Sequence, residues 1–521
     1  MVPMPVKHGI IRRIEPSFKP RFYHHSAKIA RKTTKIGAIS PRVLHICCNT
    51  TNEKHMKGAQ STHSTGLWAM VSLFFLWGFV ASSNTVLIPA VKEVFDLSQT
   101  QAMRIDVVFY LAYGLGGACL FFMSWLGWDL VQKLGAKGSL LLGLGFAAMG
   151  GFGFYPAAQN QSYIMLLGSL LAMGLGFSVL QMVANPYLLA MGEEAFAAQR
   201  VNFAGALNSL GTTLGPLFMG KMIFASGISS LTEIGWAYVG VGVVFTLILV
   251  FLSMVSLPEP RMTTGEAEVN EGKSLWRVPF ILGMMALFVY VGTEVALSSN
   301  LAMLLEQPSF LGAKPADTVH YASLYWASLM MGRWMGAVVV LGRSEKTTFW
   351  LKLVAPFLAL GVALLSMWLS GTSWENIQGL WPFALIMPVV LMVPYFLAKE
   401  RPAAMLWWLS LFGAGAVVSG MWLKGPLGAL LIVSAGLCCS VLWSCIFALA
   451  VQGLGKNTHR GSSLLIVMIT GGAVLPPIQA AWMESGQVIQ GYWVPVLGFL
   501  AMALYPLVIR GKMFKKEVWG S

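Results

Sequence analysis

Long apolar runs, separated by short polar stretches, recur along the chain from Leu67 almost to its end. A run of about 20 apolar residues crosses the hydrocarbon core of a bilayer as a helix. Because backbone groups in lipid have to bond internally, only helices and closed barrels span a membrane. A barrel would show alternating segments of about ten residues, whereas these runs are longer and continuous. The pattern predicts an all-α integral membrane protein.

Fourteen membrane spans are predicted from these runs. They cover residues 67–90, 102–126, 138–158, 163–190, 203–226, 235–257, 279–304, 319–342, 348–370, 379–398, 403–423, 426–451, 462–484 and 491–510. The composition agrees, since 56% of the residues are hydrophobic and 11% are charged, whereas a soluble domain carries about 25% charged residues. A chain this apolar needs the bilayer as its solvent.

The basic residues fall in alternate loops between the predicted spans. One set of loops carries Lys133, Lys137, Arg200, Arg261, Lys273, Arg277, Arg343, Lys346, Lys399, Arg401, Lys456 and Arg460. The opposite set carries little beyond Lys92, Lys314 and Lys424. Since cytoplasmic loops are enriched in Lys and Arg, both termini are predicted to be cytoplasmic, in an inner or plasma membrane.

Residues 1–66 form a basic polar tail, with twelve Lys and Arg against Glu15 and Glu53. No apolar core of the signal-peptide kind is present in it. Three interpretations stay open: a disordered cytoplasmic arm that touches anionic lipid, a transit peptide, or an untranslated segment upstream of a start at Met56. The tail and the loop bias account for the net charge of +14, so no nucleic-acid partner is expected.

The inner loop 258–278 divides the remaining chain into two parts. Residues 67–257 are predicted to form a six-helix bundle, residues 279–510 a second bundle, and residues 511–521 a cytoplasmic tail. Transporters built from two such halves bind their substrate between them, near the midplane of the bilayer. The six cysteines include no CxxC pair, and the eight histidines show no metal-ligand spacing. No cofactor, metal site or catalytic constellation is therefore expected, and the protein is not predicted to be an enzyme.

Several segments resemble one transporter family. They are Phe75–Phe79 with Asn84 and Pro89, Leu180–Tyr187, Arg200–Asn202 with Asn208–Gly211, Tyr290–Val295, His320–Tyr321 with Tyr325–Trp326 and Gly332–Arg333, and Gly453–Gly455 with Gly461–Ser463 and Gly471–Ala473. In this order they resemble the fucose and glucose/galactose symporters of the major facilitator superfamily. The resemblance implies the major facilitator fold and uptake of a monosaccharide.

The chain departs from that family in its number of spans. The family has twelve, so a core of twelve helices with two inserted within residues 347–425 is expected. Three predicted helices lie there, and the sequence leaves open which two are extra.

The chain also departs from the family at polar positions. The family's carboxylate on the first span is Thr85 here, one on the fourth span of fucose-type members is Gln181, and a glutamine on the fifth is Gly205. Hydroxyl and amide groups do not titrate in a useful range, so proton coupling is not simply inherited. Gln181 follows the glucose/galactose pattern, which favours a hexose.

Two carboxylates within the predicted spans, together with Thr85, are candidates for the coupling-ion site. Asp106 lies about one turn into the second span, at a depth similar to that of Thr85, and would bind a proton or a cation. The alternative is that it pairs with Arg104 or caps its helix. Glu294 lies in the middle of the seventh span, where a charge suggests function. The alternative for Glu294 is a protonated or paired structural role, with Arg333 as partner.

Amide and aromatic side chains are the candidates for binding sugar. Amides both donate and accept hydrogen bonds, as sugar hydroxyls do, and the candidates are Asn84, Gln181, Asn185, Asn202, Asn208, Asn300 and Trp326. For each amide the alternative is a hydrogen bond between helices, and for Trp326 it is packing. A gating cluster is expected from Asp129, Lys133, Lys137 and Arg333.

Together these features predict a secondary transporter that takes up a monosaccharide by alternating access, coupled to a proton or sodium ion. A monomer in the lipid bilayer is expected. The rival hypotheses are an exporter or flippase of amphiphiles on the same scaffold and a sugar sensor that does not transport.

Overall fold

The computed structural model describes residues 64–126, 130–190, 197–227, 229–255, 277–338, 344–398, 401–452, 454 and 458–513. The structure does not describe residues 1–63 of the predicted tail 1–66, residues 258–276 of the linker 258–278, or Asp129. The side chains of Asn185 and Asn202 also lie outside the described part of the chain.

The described residues form helices at all fourteen predicted ranges. The N-terminal group consists of α1 (Ser64–Val94), α2 (Gln99–Ala102), α3 (Arg104–Trp125), α4 (Leu130–Gln159), α5 (Tyr163–Ala190), α6 (Ala197–Ile223) and α7 (Leu231–Met254). The C-terminal group consists of α8 (Val278–Ser299), α9 (Leu301–Leu305), α10 (Val319–Ala337), α11 (Glu345–Leu369), α12 (Trp374–Ala398), α13 (Pro402–Leu423), α14 (Gly425–Cys439), α15 (Leu442–Val451), α16 (Thr458–Val467), α17 (Leu475–Glu484) and α18 (Trp493–Met513). A 3₁₀ segment, Met468–Ala473, joins α16 to α17.

Eleven of the described helical segments are long and apolar enough to cross a membrane. The helices α6, α10 and α12 are not among them, and α12 contributes the shorter apolar segment Ile386–Tyr395. The protein is therefore a helical multi-pass membrane protein, and the count of fourteen spans stays a prediction.

Local sequence signals explain several helix boundaries. Ser98 begins α2 with a capping box, in which its hydroxyl accepts a hydrogen bond from the Gln101 backbone N–H and the Gln101 side chain accepts one from the Ser98 N–H. Ser344 caps α11 by accepting from the Thr347 N–H at 3.1 Å. Within α4, Gly135 has φ 71°, a conformation that glycine adopts without steric cost.

The helices of the two groups pack in a repeated pattern. In the N-terminal group, α1 packs on α6, α3 and α4 pack on α5, and α4 packs on α7. In the C-terminal group, α8 packs on Met468–Ala473, α10 and α13 pack on α14, and α13 packs on α18. Each of the six segments of one group thus has a counterpart in the other. Two long described helices, α11 and α12, lie outside this repeat, since α11 packs against α10 and α12 against α11 and α13.

This repeat distinguishes between the three helices that the sequence left as candidates for the inserted pair. The helix at 403–423 is α13, which takes the place that α4 has in the N-terminal group. The helices α11 and α12 lie outside the repeat. A hydrophobic pattern identifies a span but not its packing partners, so this distinction needs the tertiary contacts.

The two groups contact each other along several pairs of segments, three of which are the most extensive. The helix α10 packs on α6, α3 packs on Met468–Ala473, and α2 packs on α17. The helix ends that carry Lys92, Lys314 and Lys424 are here called the predicted outer face, because the distribution of basic residues places them outside.

Candidate functional site

Gln181 of α5 lies in the interior of the N-terminal group beside two aromatic side chains. Its side chain is buried and interacts with Tyr113 of α3. The rings of Tyr113 and Trp77 stack with centroids 6.3 Å apart. Together with Phe74, Trp77 and Gln181 line a narrow cavity between α1 and α5. An amide beside aromatic faces is an arrangement that binds a sugar, whose ring has both hydroxyl groups and an apolar face.

Asn208 connects this cavity to the C-terminal group. Its amide nitrogen donates to the carbonyl oxygen of Phe74 at 2.8 Å, and its amide oxygen accepts from the Arg333 guanidinium at 3.2 Å. Gly78 of α1 and Gly211 of α6 permit this approach, because a Cβ at either position would overlap the backbone of the facing helix. Asn208 therefore lies at the interface of the two groups.

Glu294 of α8 and Arg333 of α10 form an ion pair, as the sequence allowed. Their side-chain atoms lie 3.7 Å apart, with 12% of the Glu294 side chain and 22% of the Arg333 side chain exposed. The Tyr290 hydroxyl donates to the Glu294 carboxylate and lies 3.0 Å from the carbonyl oxygen of Cys439. Tyr325 donates to the Glu294 backbone oxygen at 2.8 Å. A carboxylate held this way has a permanent counter-charge.

Trp326 follows Tyr325 on α10 and is buried, with its ring edge-on to Tyr325. Its indole N–H has no hydrogen-bond partner among the described residues. A buried donor normally has a partner, so Trp326 is suited to donate to a ligand oxygen.

Asp106 and Asn84 meet near the predicted outer face. The Asn84 amide nitrogen donates to one oxygen of the Asp106 carboxyl group at 3.2 Å, and both residues are 1% exposed. Among the described ion pairs none joins Asp106 to Arg104, which was the structural alternative for this residue. Thr85 instead donates to the Ser82 backbone oxygen of its own helix at 2.6 Å.

Asn300, predicted to bind sugar, lies at the contact between the two groups. Its amide oxygen accepts from Gln99 at 3.1 Å, and its amide nitrogen donates to Gln479 at 3.2 Å. The structure thus places Asn300 and Asn84 with Asp106 near the predicted outer face, and it places Gln181, Asn208 and Trp326 deeper in the helices.

The members of the predicted gating cluster are separated as far as they are described. Lys137 donates to the carbonyl oxygens of Ser253 and Val255 at the end of α7, at 2.7 and 2.8 Å. Lys133 is exposed. Arg333 contacts Glu294 and Asn208. The contacts described for Lys137 and Arg333 therefore lie in different parts of the molecule.

Sequence reasoning missed several polar residues that the structure brings together. They are Gln99, Tyr113, Tyr290, Ser299, Gln479 and Glu484. Polar side chains inside apolar spans are costly and therefore informative, and Gln479 carried that signal. The partners of these residues are up to 384 positions away in the chain, and no local pattern identifies them.

Curated relatives match nearly the whole chain. It is 27% identical over 466 residues to a glucose/galactose transporter of Brucella abortus, covering 88% of this chain and 98% of the relative. It is 28% identical over 481 residues to a putative glucose/galactose transporter of Helicobacter pylori, covering 88% and 99%. It is 24% identical over 451 residues to the L-fucose-proton symporter of Escherichia coli, covering 84% and 91%. No protein-family model matches the chain.

The chain is a homologue of these transporters. The resemblance predicted from the sequence is therefore confirmed.

Solved structures of other transporters have a fold similar to that of this chain. The major facilitator superfamily transporter FucP in its outward conformation aligns with a TM-score of 0.57 and 19% identity, over 86% of this chain and 99% of FucP. A bacterial homologue of the human lysosomal transporter Spinster, inward-facing and occupied, aligns with a TM-score of 0.56 and 12% identity, over 87% and 98%. The predicted major facilitator fold is confirmed.

Proposed function

We propose that this protein takes up a monosaccharide, with a hexose such as glucose or galactose favoured, by alternating access in the plasma membrane. The observation that carries the proposal is the similarity over 88% of the chain to relatives named glucose/galactose transporters. Both termini are proposed to be cytoplasmic, and the protein is proposed to act as a monomer.

The geometry of the interior supports this function. The cavity at Gln181 and the Glu294–Arg333 pair are joined through Phe74 and Asn208, so one connected set of polar and aromatic groups extends across both groups of helices. A substrate bound there contacts both groups, which is what alternating access at a central site requires. We assign Gln181, Asn208 and Trp326 to sugar binding.

Coupling to a proton is supported by the relatives named L-fucose-proton symporters. Of the two candidate carboxyl groups, Glu294 has Arg333 as its counter-charge, whereas the described hydrogen bond to Asp106 comes from the neutral amide of Asn84. A proton carrier has to become neutral during the cycle, so Asp106 is the better candidate.

Uptake in proteoliposomes tests the function. Purified protein is reconstituted, and labelled glucose, galactose, fucose and N-acetylglucosamine are supplied with an imposed proton or sodium gradient. Accumulation of one sugar under the proton gradient is expected, and Gln181→Leu is expected to reduce it. Liposomes with Phe349→Leu, at an exposed position on α11, are the matched control. Failure to take up any sugar under any gradient would overturn the proposal and favour an amphiphile exporter or a sensor.

A further inference from the structure

Four polar contacts close the predicted outer face between the two groups of helices. Gln99 donates to Asn300 at 3.1 Å. The Thr100 backbone N–H and hydroxyl donate to the Glu484 carboxylate at 2.8 and 2.6 Å. Lys92 lies 3.8 Å from Glu306. We call this line of contacts the outer seam.

Asp106 lies at the inner side of this seam. Asn84 of the N-terminal group donates to one of its carboxyl oxygens at 3.2 Å. Ser299 of the C-terminal group, the neighbour of Asn300, lies beside the carboxyl group. Both Asn84 and Ser299 are buried. The carboxyl group is therefore enclosed by residues of both groups when the seam is closed.

No described ion pair brings a positive charge to Asp106. The titratable groups that interact with it are Tyr110 of its own helix, Tyr163 of α5 and Tyr238 of α7, all of which are neutral at ordinary pH. Glu294 of α8, which also faces Tyr110, is itself acidic. Arg104 is exposed two residues earlier and has no ion pair with Asp106 among the described contacts.

The second carboxyl oxygen of Asp106 and the amide oxygen of Asn84 are both buried and have no hydrogen-bond partner among the residues that the structure describes. Burying an ionised carboxylate that lacks a counter-charge is far more costly than burying the neutral acid. A proton on the second carboxyl oxygen removes the charge and turns that unsatisfied acceptor into a donor. When the seam is open, water reaches the group and solvates the ionised form.

From this geometry we propose that closure of the outer seam requires a proton on Asp106. Asp106 is then the proton site, and its protonation state controls whether the outer seam closes. The inference rests on the proposed transport function and deepens it. A proton bound from outside allows the seam to close over the substrate, and loss of that proton to the cytoplasm leaves a charge that favours reopening outward. Sugar uptake and proton uptake are thereby linked through one interface.

Accessibility of the seam tests the proposal without transport. Ala102 of α2 is fully buried, and Ala102→Cys is a small change that serves as a reporter. Membrane-impermeant maleimide is added from the side of the predicted outer face at pH 5.5 to 9 (about the range in which a buried carboxyl titrates). The labelled peptide is then identified by mass spectrometry. The labelling rate at each pH is divided by that of the same cysteine in the denatured protein, because the reactive thiolate itself increases with pH. This normalised labelling is expected to rise at least about fivefold with pH, and to become independent of pH in Asp106→Asn, whose side chain has nearly the same shape and stays neutral. Asp96→Asn, an exposed acid on the same face, is the matched control and should keep the pH dependence.

Transport provides the second readout. Asp106→Asn is expected to keep sugar exchange across the membrane but to lose gradient-driven accumulation by about tenfold or more. An unchanged pH dependence of labelling in Asp106→Asn, or retained accumulation, would overturn the proposal. Suppression of labelling at high pH by sodium but not by potassium would replace the proton with a cation bound to the same oxygens and would also overturn it. If no sugar is transported but the labelling behaves as expected, the proposed function fails while the proton-dependent seam stands.

Discussion

The Glu294–Arg333 pair gives the sharpest test of how the interior is held together. The charges lie 3.7 Å apart with small exposed fractions, a separation at which two unit charges attract by about 4 to 5 kcal/mol at an effective dielectric constant of about 20. Glu294→Gln removes the negative charge and leaves the Arg333 guanidinium with the amide oxygen of Asn208 as a neutral acceptor. Because this strands a buried charge, the free energy of unfolding is expected to fall by about 3 to 5 kcal/mol.

The double variant Glu294→Gln with Arg333→Gln measures the interaction energy between the two side chains, apart from their contacts with other residues. It has no stranded charge, so it is expected to be less destabilised than the sum of the two single variants, with a coupling energy of at least about 2 kcal/mol. The assay is unfolding of the purified protein by titration with sodium dodecyl sulfate in mixed micelles, followed by circular dichroism. The reasoning is refuted if each single variant unfolds within about 0.5 kcal/mol of the unmodified protein, or if the losses in the double variant simply add.

Three further predictions concern binding, packing and the surface. Gln181→Leu is expected to raise the apparent KM for sugar by about 3- to 10-fold, since a neutral hydrogen bond contributes about 0.5–1.5 kcal/mol; an unchanged KM in initial-rate uptake would remove Gln181 from the site. Gly211→Ala places a methyl group against the backbone of α1 and is expected to cost about 1–3 kcal/mol, whereas Gly205→Ala on the same helix meets open space and should be neutral or stabilising in the same unfolding titration. Lys92→Ala breaks the partly exposed pair with Glu306 and is expected to change stability by less than about 1 kcal/mol, an effect that should shrink further in high salt.

Burial raises the pKa of Glu306, and the Lys92 ammonium partly offsets that rise. A group whose folded pKa is raised binds protons more tightly in the folded than in the unfolded state, so its contribution favours folding below the unfolded pKa and fades as the pH rises through the folded value. Lys92→Ala is therefore expected to move the titration of Glu306 to higher pH, as followed by nuclear magnetic resonance of the labelled side chain. A titration that moves to lower pH would contradict the assigned partnership.

The sequence left the contact partners of most candidate site residues undetermined. It predicted the Glu294–Arg333 pair as one of two alternatives, because both residues stand inside apolar spans where an unpaired charge is costly. For Asp106 it predicted an ion pair with Arg104, a neighbour in the chain, as one alternative. In the structure Asp106 instead lies beside Asn84 and Ser299, which belong to two other helices. Helix periodicity relates residues three or four apart, and it contains no information about which faces of separate helices meet.

The sequence by itself determined that the chain is a helical membrane protein, where its helices lie, and which transporters it resembles. These properties depend on local hydrophobicity and on residues that stand close together in the chain, and the lengths of the runs follow from the thickness of the bilayer. Only the tertiary structure decided that α11 and α12 fall outside the packing repeat, that Asn208 contacts both groups of helices, and that Asp106 is enclosed at a seam between them. In lipid the hydrophobic effect does not choose between helix pairs, so close packing at small residues and hydrogen bonds across helices decide which segments meet.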